Sequence, residues 1–361
     1  MIFSRYMNTV ERYVGKAVLS SFAALALIIL GLDLLFSFLS ELGSTRNQYQ
    51  TLDALLFMLM TMPRRFYEYL PLLAMIGALV GIGRLANNSE LVILRAAGMS
   101  TFRIVAAVMK TAMLLMVIGF LLGQLVVPVT EEMAQTRKAT LKAKGSQSVV
   151  SKGKGFWHKE DQQFVHFALV QPDGTLHGIT RYQFDDNNKL LNVDYSQTAK
   201  YIDGQWRLYQ TRQTAIREDV SEVSVIAEQD WQVALKPALL SVIVLKPDYL
   251  AVTDLYRLSG YLEAQGLDAE SFKLSFWRKS FQPLAIAALV LIGISFVFGP
   301  LRSVAMGTRL FYGIITGLTF KYIQDFMGPA ASVFGIEPWL AAISPIALCA
   351  FIGWWMIRRA G

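Results

Sequence analysis

Six stretches of this 361-residue chain, at 17–39, 67–83, 104–127, 281–298, 310–326 and 339–357, are apolar runs that reach or approach the about 20 residues a helix needs to cross a bilayer core. Backbone in hydrocarbon must satisfy its own hydrogen bonds, so such runs read as helices. The second run is the shortest, but an apolar shoulder at 52–62 precedes it, ending before Pro63. No run between about 128 and 276 reaches spanning length, so that part reads as water-exposed and is large enough for a folded domain. The first apolar run is too long for a cleaved signal peptide and no small-residue cleavage site follows it, so it reads as a first span.

Orientation follows from the basic residues. One side of the membrane receives Arg5, Arg12 and Lys16, then Arg84, Arg95 and Arg103, then Arg302 and Arg309, and finally Arg358 and Arg359. The opposite short loops hold Arg46, Arg64 and Arg65. Both termini are therefore expected in the cytosol, and the central domain outside the inner membrane, in the periplasm of a bacterium. The net charge of +7 reflects this topology; the basic residues form no aromatic-laced stripe of the kind that binds nucleic acid. The single cysteine, Cys349, lies in the sixth run and excludes an intrachain disulfide.

Between residues 155 and 244 the pattern changes to period two. Residues 164–170 read as a buried strand. Those at 179–184 and 190–195 flank a turn at 185–189, and those at 199–202 and 205–209 flank Asp203-Gly204, a strong hairpin signal. Further short strands are expected at 223–226 and 231–235. Strands at this spacing predict a sandwich or jelly roll. His158, His166 and His177 fall here, at a spacing that fits no zinc motif. Thr253 is expected to cap a connecting helix that ends near Gly266.

The expected fold is thus an α-helical membrane protein with six transmembrane helices plus a periplasmic all-β, jelly-roll-like domain inserted between helices 3 and 4. Its parts are helices 1–3 at 1–127, the β domain at 128–252, a connecting helix at 253–276 and helices 4–6 at 277–361.

A polar interruption separates the second and third runs. Ser89 is placed as an N-cap, Glu90 sits in the first turn where the helix dipole favours an acid, and Gly98 is placed as the C′ stop. The resulting helix, about 89–98, has about two turns and is too short to persist alone in water. It fits either a docking element for a separate ATPase or an ordered cytosolic turn.

Charges in or near spans are Asp33, Lys110, Lys321 and Asp325. Lys321 and Asp325 stand four apart and are expected to pair on one helix face, with Lys321 snorkelling outward. Lys110 reads as a cytosolic anchor. Arg64 and Arg65 follow Pro63 near the outer leaflet and fit either interfacial anchors or bidentate ligands for lipid phosphates. Arg137 and Lys138 follow the third run on the same side. No Walker A sequence, HExxH, GxSxG or paired metal carboxylates occur, so any fuel is consumed by another chain.

Several segments resemble the LptF/LptG family, the permease subunits of the ABC transporter that extracts lipopolysaccharide. They are Glu11-Arg12-Tyr13-Val14-Gly15-Lys16, Ser89-Glu90-Leu91 with Ala97-Gly98, Phe281-Gln282-Pro283-Leu284, and Phe298-Gly299-Pro300-Leu301-Arg302-Ser303 joined to Met306-Gly307. The resemblance covers essentially the whole chain, the β domain in position and pattern more than in residues. It implies a heterodimer with LptF around a cavity open to the outer leaflet, a dimer of the ATPase LptB below, and LptC beside the first span. It implies no cofactor. Glu90 matches the family's coupling-helix glutamate, which makes Ser89, Glu90, Leu91, Leu94, Arg95 and Gly98 the expected ATPase-coupling residues. Arg64 and Lys138 match or neighbour basic residues implicated in holding lipid A phosphates, with Arg65, Arg137 and Arg46 beside them. The outer end of span one departs from lysine-bearing family members: residues 37–44 hold no base before Arg46.

A different ABC permease of the four-span type is opposed by the count of six apolar runs. A membrane enzyme would need an acid or histidine cluster at a membrane face, and a passive scaffold would retain no nucleotide-binding subunit.

Overall fold

The structure, a computed structural model, describes residues 2–43, 45, 49–143, 156–160, 162–170, 175–185, 189–216, 221–233, 246–264, 266, 268–299 and 304–360. Four helices and a helical extension precede the sheet: α1 (Ile2–Leu42), α2 (Thr51–Asn87), α3 (Glu90–Ala96), α4 (Thr101–Leu121) and α5 (Val127–Ala143). Among the described residues four more follow it: α6 (Val252–Ala264), α7 (Glu270–Phe298), α8 (Met306–Phe334) and α9 (Pro338–Ala360).

Among the described residues, five helices are long and apolar enough to cross a membrane: Thr9–Leu42, Thr51–Asn87, Thr101–Lys138, Glu270–Phe298 and Pro338–Arg359. The remaining expected span is α8, 29 residues long, which carries Arg309, Lys321 and Asp325 and is not among those five.

α2 and α7 form the centre of the helical layer. Leu70, Leu73, Leu79 and Ile82 of α2 and Ile286 and Ile294 of α7 have no exposed surface. Leucine side chains do not drive association in lipid, so close backbone approach has to supply the packing. Gly77 and Gly81 supply it on α2. A Cβ on Gly77 would lie 2.8 Å from Phe22 Cβ, and one on Gly81 would lie 2.7 Å from Val18 Cα, both on α1. On the other side, a Cβ on Gly293 of α7 would lie 2.6 Å from the Met75 carbonyl oxygen.

Span three does not end at the membrane surface. α4 passes through a π-helical turn (Leu122–Val126) into α5. Gly123 in that turn packs on the Tyr67 ring. Gln124 turns its amide to α6: its Oε1 accepts from the Val252 N–H at 3.0 Å, and its Nε2 donates to Thr253 Oγ1 at 3.0 Å. Thr253 therefore sits inside the first turn of α6 instead of capping it; a side chain on span three holds the start of that helix.

The described strands form one antiparallel meander, β1 (Phe156–Glu160), β2 (Gln163–Val170), β3 (Leu176–Phe184), β4 (Leu190–Ile202), β5 (Gln205–Ile216) and β6 (Ser221–Trp231), in spatial order one to six. Asp203 and Gly204 have φ of 52° and 84°, the paired positive values of a two-residue turn matched to strand twist. The expected strands at 190–195 and 199–202 are one continuous strand. One face is apolar, with Val165, Phe167, Ile179, Trp206, Leu208 and Trp231 buried. Within it, Arg181 and Asp194, directly opposed on β3 and β4, pair at 2.6 Å. Burial holds the Asp194 carboxyl above the usual carboxylate range and lowers the Arg181 guanidinium. His158, His166 and His177 lie on β1, β2 and β3.

Candidate functional site

The two ends of the helical layer carry different chemistry. At one end, α3 lies across the turn between α2 and α4. Leu91 is buried and Leu94 packs against the main core, while Val92 and Ile93, with Phe102 nearby, are more than half exposed. A seven-residue helix thus has an inward face that fixes it and an outward apolar face. Gly98 has φ of 88° and ends the turn as expected. Ser89 does not cap: it adopts a left-handed conformation at φ 61° and its side chain makes no capping hydrogen bond. The working N-cap is Ser100, whose side chain accepts from the Arg103 N–H at the start of α4. Glu90 is held from two sides. Tyr13 Oη donates to Oε2 at 2.8 Å and Asn88 Nδ2 donates to Oε1 at 3.2 Å. The link to Tyr13 joins α3 to α1, and Lys110, expected as a lone anchor, joins α4 to α1 through Glu11 at 2.6 Å.

At the other end stand the expected phosphate-binding residues. Arg64 Nε donates to Glu131 at 2.7 Å and its NH1 to Glu68 at 2.5 Å. Its guanidinium also lies 5.4 Å from the centre of the Tyr249 ring, whose phenol burial raises above its ordinary range. Arg65 points to α1, donating to Asp33 at 2.6 Å and Ser37 at 2.5 Å; Tyr69 Oη donates to the same Asp33 at 3.0 Å. Arg137 pairs with Asp53 at 3.0 Å and Lys138 with Glu41 at 2.7 Å. Each of these four cations thus has a carboxylate on a neighbouring helix, and together they tie α5 to α1 and α2. Arg46 lies outside the described residues.

Between α2, α7 and α8, beside a short 3-10 turn (Pro247–Tyr249), is a cavity of about 350 Å³. Its outer part is lined by charge of both signs: Arg64, Glu68, Asp248, Arg278, Lys279, Lys321 and Asp325. Its deeper part is apolar, with Leu72, Ala285, Leu289 and Phe320. Lys321 and Asp325 do not form the expected pair: among the described residues no ion pair joins them, and the Lys321 ammonium lies 5.5 Å from the Tyr69 ring centre. Lys279 donates to the Leu250 carbonyl at 2.6 Å, and Arg278 donates to the Gln324 carbonyl. Sequence reasoning passed over Arg278 and Lys279. The signal was there, two adjacent cations just before the fourth apolar run, but nothing in one dimension sets them opposite Lys321.

Similarity to known proteins covers both ends. The family described as "Lipopolysaccharide export system permease LptF/LptG" matches residues 12–359. The lipopolysaccharide export system permease protein LptG of Haemophilus influenzae (strain ATCC 51907 / DSM 11121 / KW20 / Rd) is 33% identical over 356 residues, spanning 98% of this chain and 99% of that protein. The protein of the same name from Escherichia coli (strain K12) is 34% identical over 356 residues, 98% of each.

Proposed function

Because the chain belongs to the LptF/LptG family of lipopolysaccharide export permeases, we propose that it is the membrane subunit that takes lipopolysaccharide from the outer leaflet of the inner membrane and passes it toward a periplasmic bridge. LptF is its partner around the transport path, an LptB dimer hydrolyses ATP on the cytosolic side, and LptC adds a helix beside α1. The chain itself is non-catalytic. The observation that carries this reading is the family match over 12–359, and the short α3 with its outward apolar face supports the ATPase side of it.

In this reading α8 is the sixth span, both termini are cytosolic, and residues 128–252 form the periplasmic part, which begins as α5 and includes the antiparallel meander as its jelly-roll-like domain. Residues 253–276 connect back to the membrane. Extraction moves several acyl chains against a cost of about 0.8 kcal/mol per exposed methylene, which explains the need for external fuel. Ser89, Glu90, Leu91, Leu94, Arg95 and Gly98 build the coupling element. Arg64, Arg65, Arg137, Lys138 and Arg46 form the cationic rim, where a lipid phosphate exchanges for a carboxylate partner in a charge-assisted contact.

Copurification tests it. Tagged wild-type chain should retain LptB, and Glu90→Lys should lose it or hydrolyse ATP without releasing lipopolysaccharide. Normal copurification and release by the variant would remove Glu90 from the coupling site. Orientation is checked in a Cys349→Ser background: Lys200→Cys should react with an impermeant thiol reagent in spheroplasts, and Asn88→Cys should not.

A further inference from the structure

The cavity between α2, α7 and α8 does not suit a purely anionic guest. Arg64 and Glu68 neutralise each other at 2.5 Å, and Lys279 is turned to a backbone carbonyl. That leaves Lys321, and Arg278, which donates to the Gln324 carbonyl but whose buried Nε has no hydrogen-bond partner among the described residues, against Asp248 and Asp325 around the same space. Asp248 accepts from Ser275 Oγ at 3.1 Å and Lys321 lies over an aromatic ring; among the described residues no ion pair joins these four groups, though Arg278 feels the charge of both Asp248 and Asp325. Lys321 and Asp325 stand one helical turn apart, about 6 Å along the axis. A guest with a phosphate and an amine a few bonds apart meets both charges at once.

The rest of the cavity fixes what such a guest carries. The charged groups sit at the end of the cavity next to the Pro247–Tyr249 turn, and Leu72, Leu289 and Phe320 line its other end. A volume of about 350 Å³ is at the low end for ligand pockets, which run from about 300 to 1,000 Å³, so it takes one chain and not the several of lipid A.

We infer that this cavity binds an aminophospholipid, phosphatidylethanolamine in chemical class, with its phosphate at Arg278 and Lys321, its ammonium at Asp248 and Asp325, and one acyl chain along Leu72, Leu289 and Phe320. The inference rests on the chain being a membrane permease; Arg64, which lines the cavity, also belongs to the proposed cargo rim, and competition with lipopolysaccharide tells the two guests apart. A resident lipid here fills the seam between α2 and α8, the seam that has to keep its shape while a larger lipid passes.

The test uses the full transporter complex in bilayers of equal parts phosphatidylethanolamine and phosphatidylglycerol, one of them carrying a diazirine in an acyl chain. After photolysis, adducts on residues 67–72 and 317–325 are compared with adducts on the lipid-facing stretch 348–355. Cavity labelling should favour phosphatidylethanolamine about tenfold, the discrimination expected from one charge-assisted contact. Asp325→Asn should bring the two lipids to parity, and Lys321→Gln should lower cavity labelling by both. Lys321→Arg and Asp325→Glu, which keep the charges, should retain the preference and show that the fold survives substitution there. Equal labelling by both lipids in the wild type, or an unchanged preference in Asp325→Asn, overturns the inference. So does loss of cavity labelling when unlabelled lipopolysaccharide is added, which would give the space to the cargo. Lipopolysaccharide release is measured on the same preparations: loss of release with the preference retained strikes the export reading and leaves the lipid site supported.

Discussion

Arg64 and Glu131 illustrate how much the charged end of the helical layer depends on paired charge. The Glu131 side chain has no exposed surface, and its two oxygens are taken by Arg64 and Gln135. Removing one partner of a buried pair costs about 3–5 kcal/mol because the other charge is left without compensation, whereas replacing both by apolar residues is often neutral. Arg64→Met should therefore lower the thermal unfolding midpoint of the purified protein sharply, and Arg64→Met combined with Glu131→Leu should recover most of the loss. A double variant as unstable as the single one would show that the pair contributes more than mutual neutralisation. The same logic holds in the sheet for Arg181 and Asp194. Burial raises the Asp194 pKa, so the folded state holds that proton more tightly than the unfolded chain does. The stability tied to it is present below the unfolded carboxylate range and lost as pH rises through the folded value. Hydrogen exchange of β3 and β4 in the full chain should accelerate over that window in the wild type relative to Asp194→Asn; parallel pH profiles would contradict it. At this scale the sequence is a poor guide. Arg64, Arg65, Arg137 and Lys138 were legible as basic residues at the outer end of their spans, but the carboxylates that face them, Glu131, Asp33, Asp53 and Glu41, come from other helices. Local spacing foretold one pair, Lys321 with Asp325, and the aromatic face of Tyr69 drew Lys321 away from it.

At the scale of elements, hydropathy and turn chemistry were far more informative. The apolar runs became helices because lipid leaves the backbone no alternative. Asp203-Gly204 fixed a hairpin because its two positive φ values suit few other pairs. What stayed hidden was packing between elements. Gly77 and Gly81 read as two small residues in an apolar run, and their role appears only when α1 lies against them. Gly81→Leu would drive a side chain into the Val18 backbone, where no rotamer relieves the clash. α1 and α2 should separate at that point, and overpacking costs of about 1–3 kcal/mol are a lower bound where backbone is struck. A cysteine pair at Val18 and Ile82, in a Cys349→Ser background, reports it: oxidative crosslinking in membranes should drop in the Gly81→Leu chain and persist in Gly81→Ala only in part. The π-helical turn was equally invisible, since nothing in Leu122–Val126 marks it; Gly123 is needed against Tyr67, and Gln124 is needed for the start of α6.

Across the whole molecule, one helix connects the two ends. α2 runs unbroken for 37 residues from the rim, where Arg64 and Arg65 bind α5 and α1, to the turn that carries α3. α1 lies beside it and is joined to the same turn by the Tyr13–Glu90 contact. If the outward face of α3 receives the ATPase as proposed, a push on it reaches α2 through the chain and α1 through shared core packing and the Tyr13–Glu90 hydrogen bond. Two variants separate these routes. Ile93→Glu places a charge on the exposed apolar face without touching the buried Leu91, so it should lower the amount of copurified LptB while leaving the membrane fold intact. Tyr13→Phe removes one hydroxyl and keeps the ring, so LptB should bind normally. If α1 moves with α3, ATP hydrolysis in Tyr13→Phe should continue while lipopolysaccharide release per ATP falls, by up to about tenfold for the loss of one hydrogen bond to a charged group. Release per ATP equal to wild type would mean that α2 and the shared core carry the motion, and that Tyr13 does no more than hold Glu90 in place at rest.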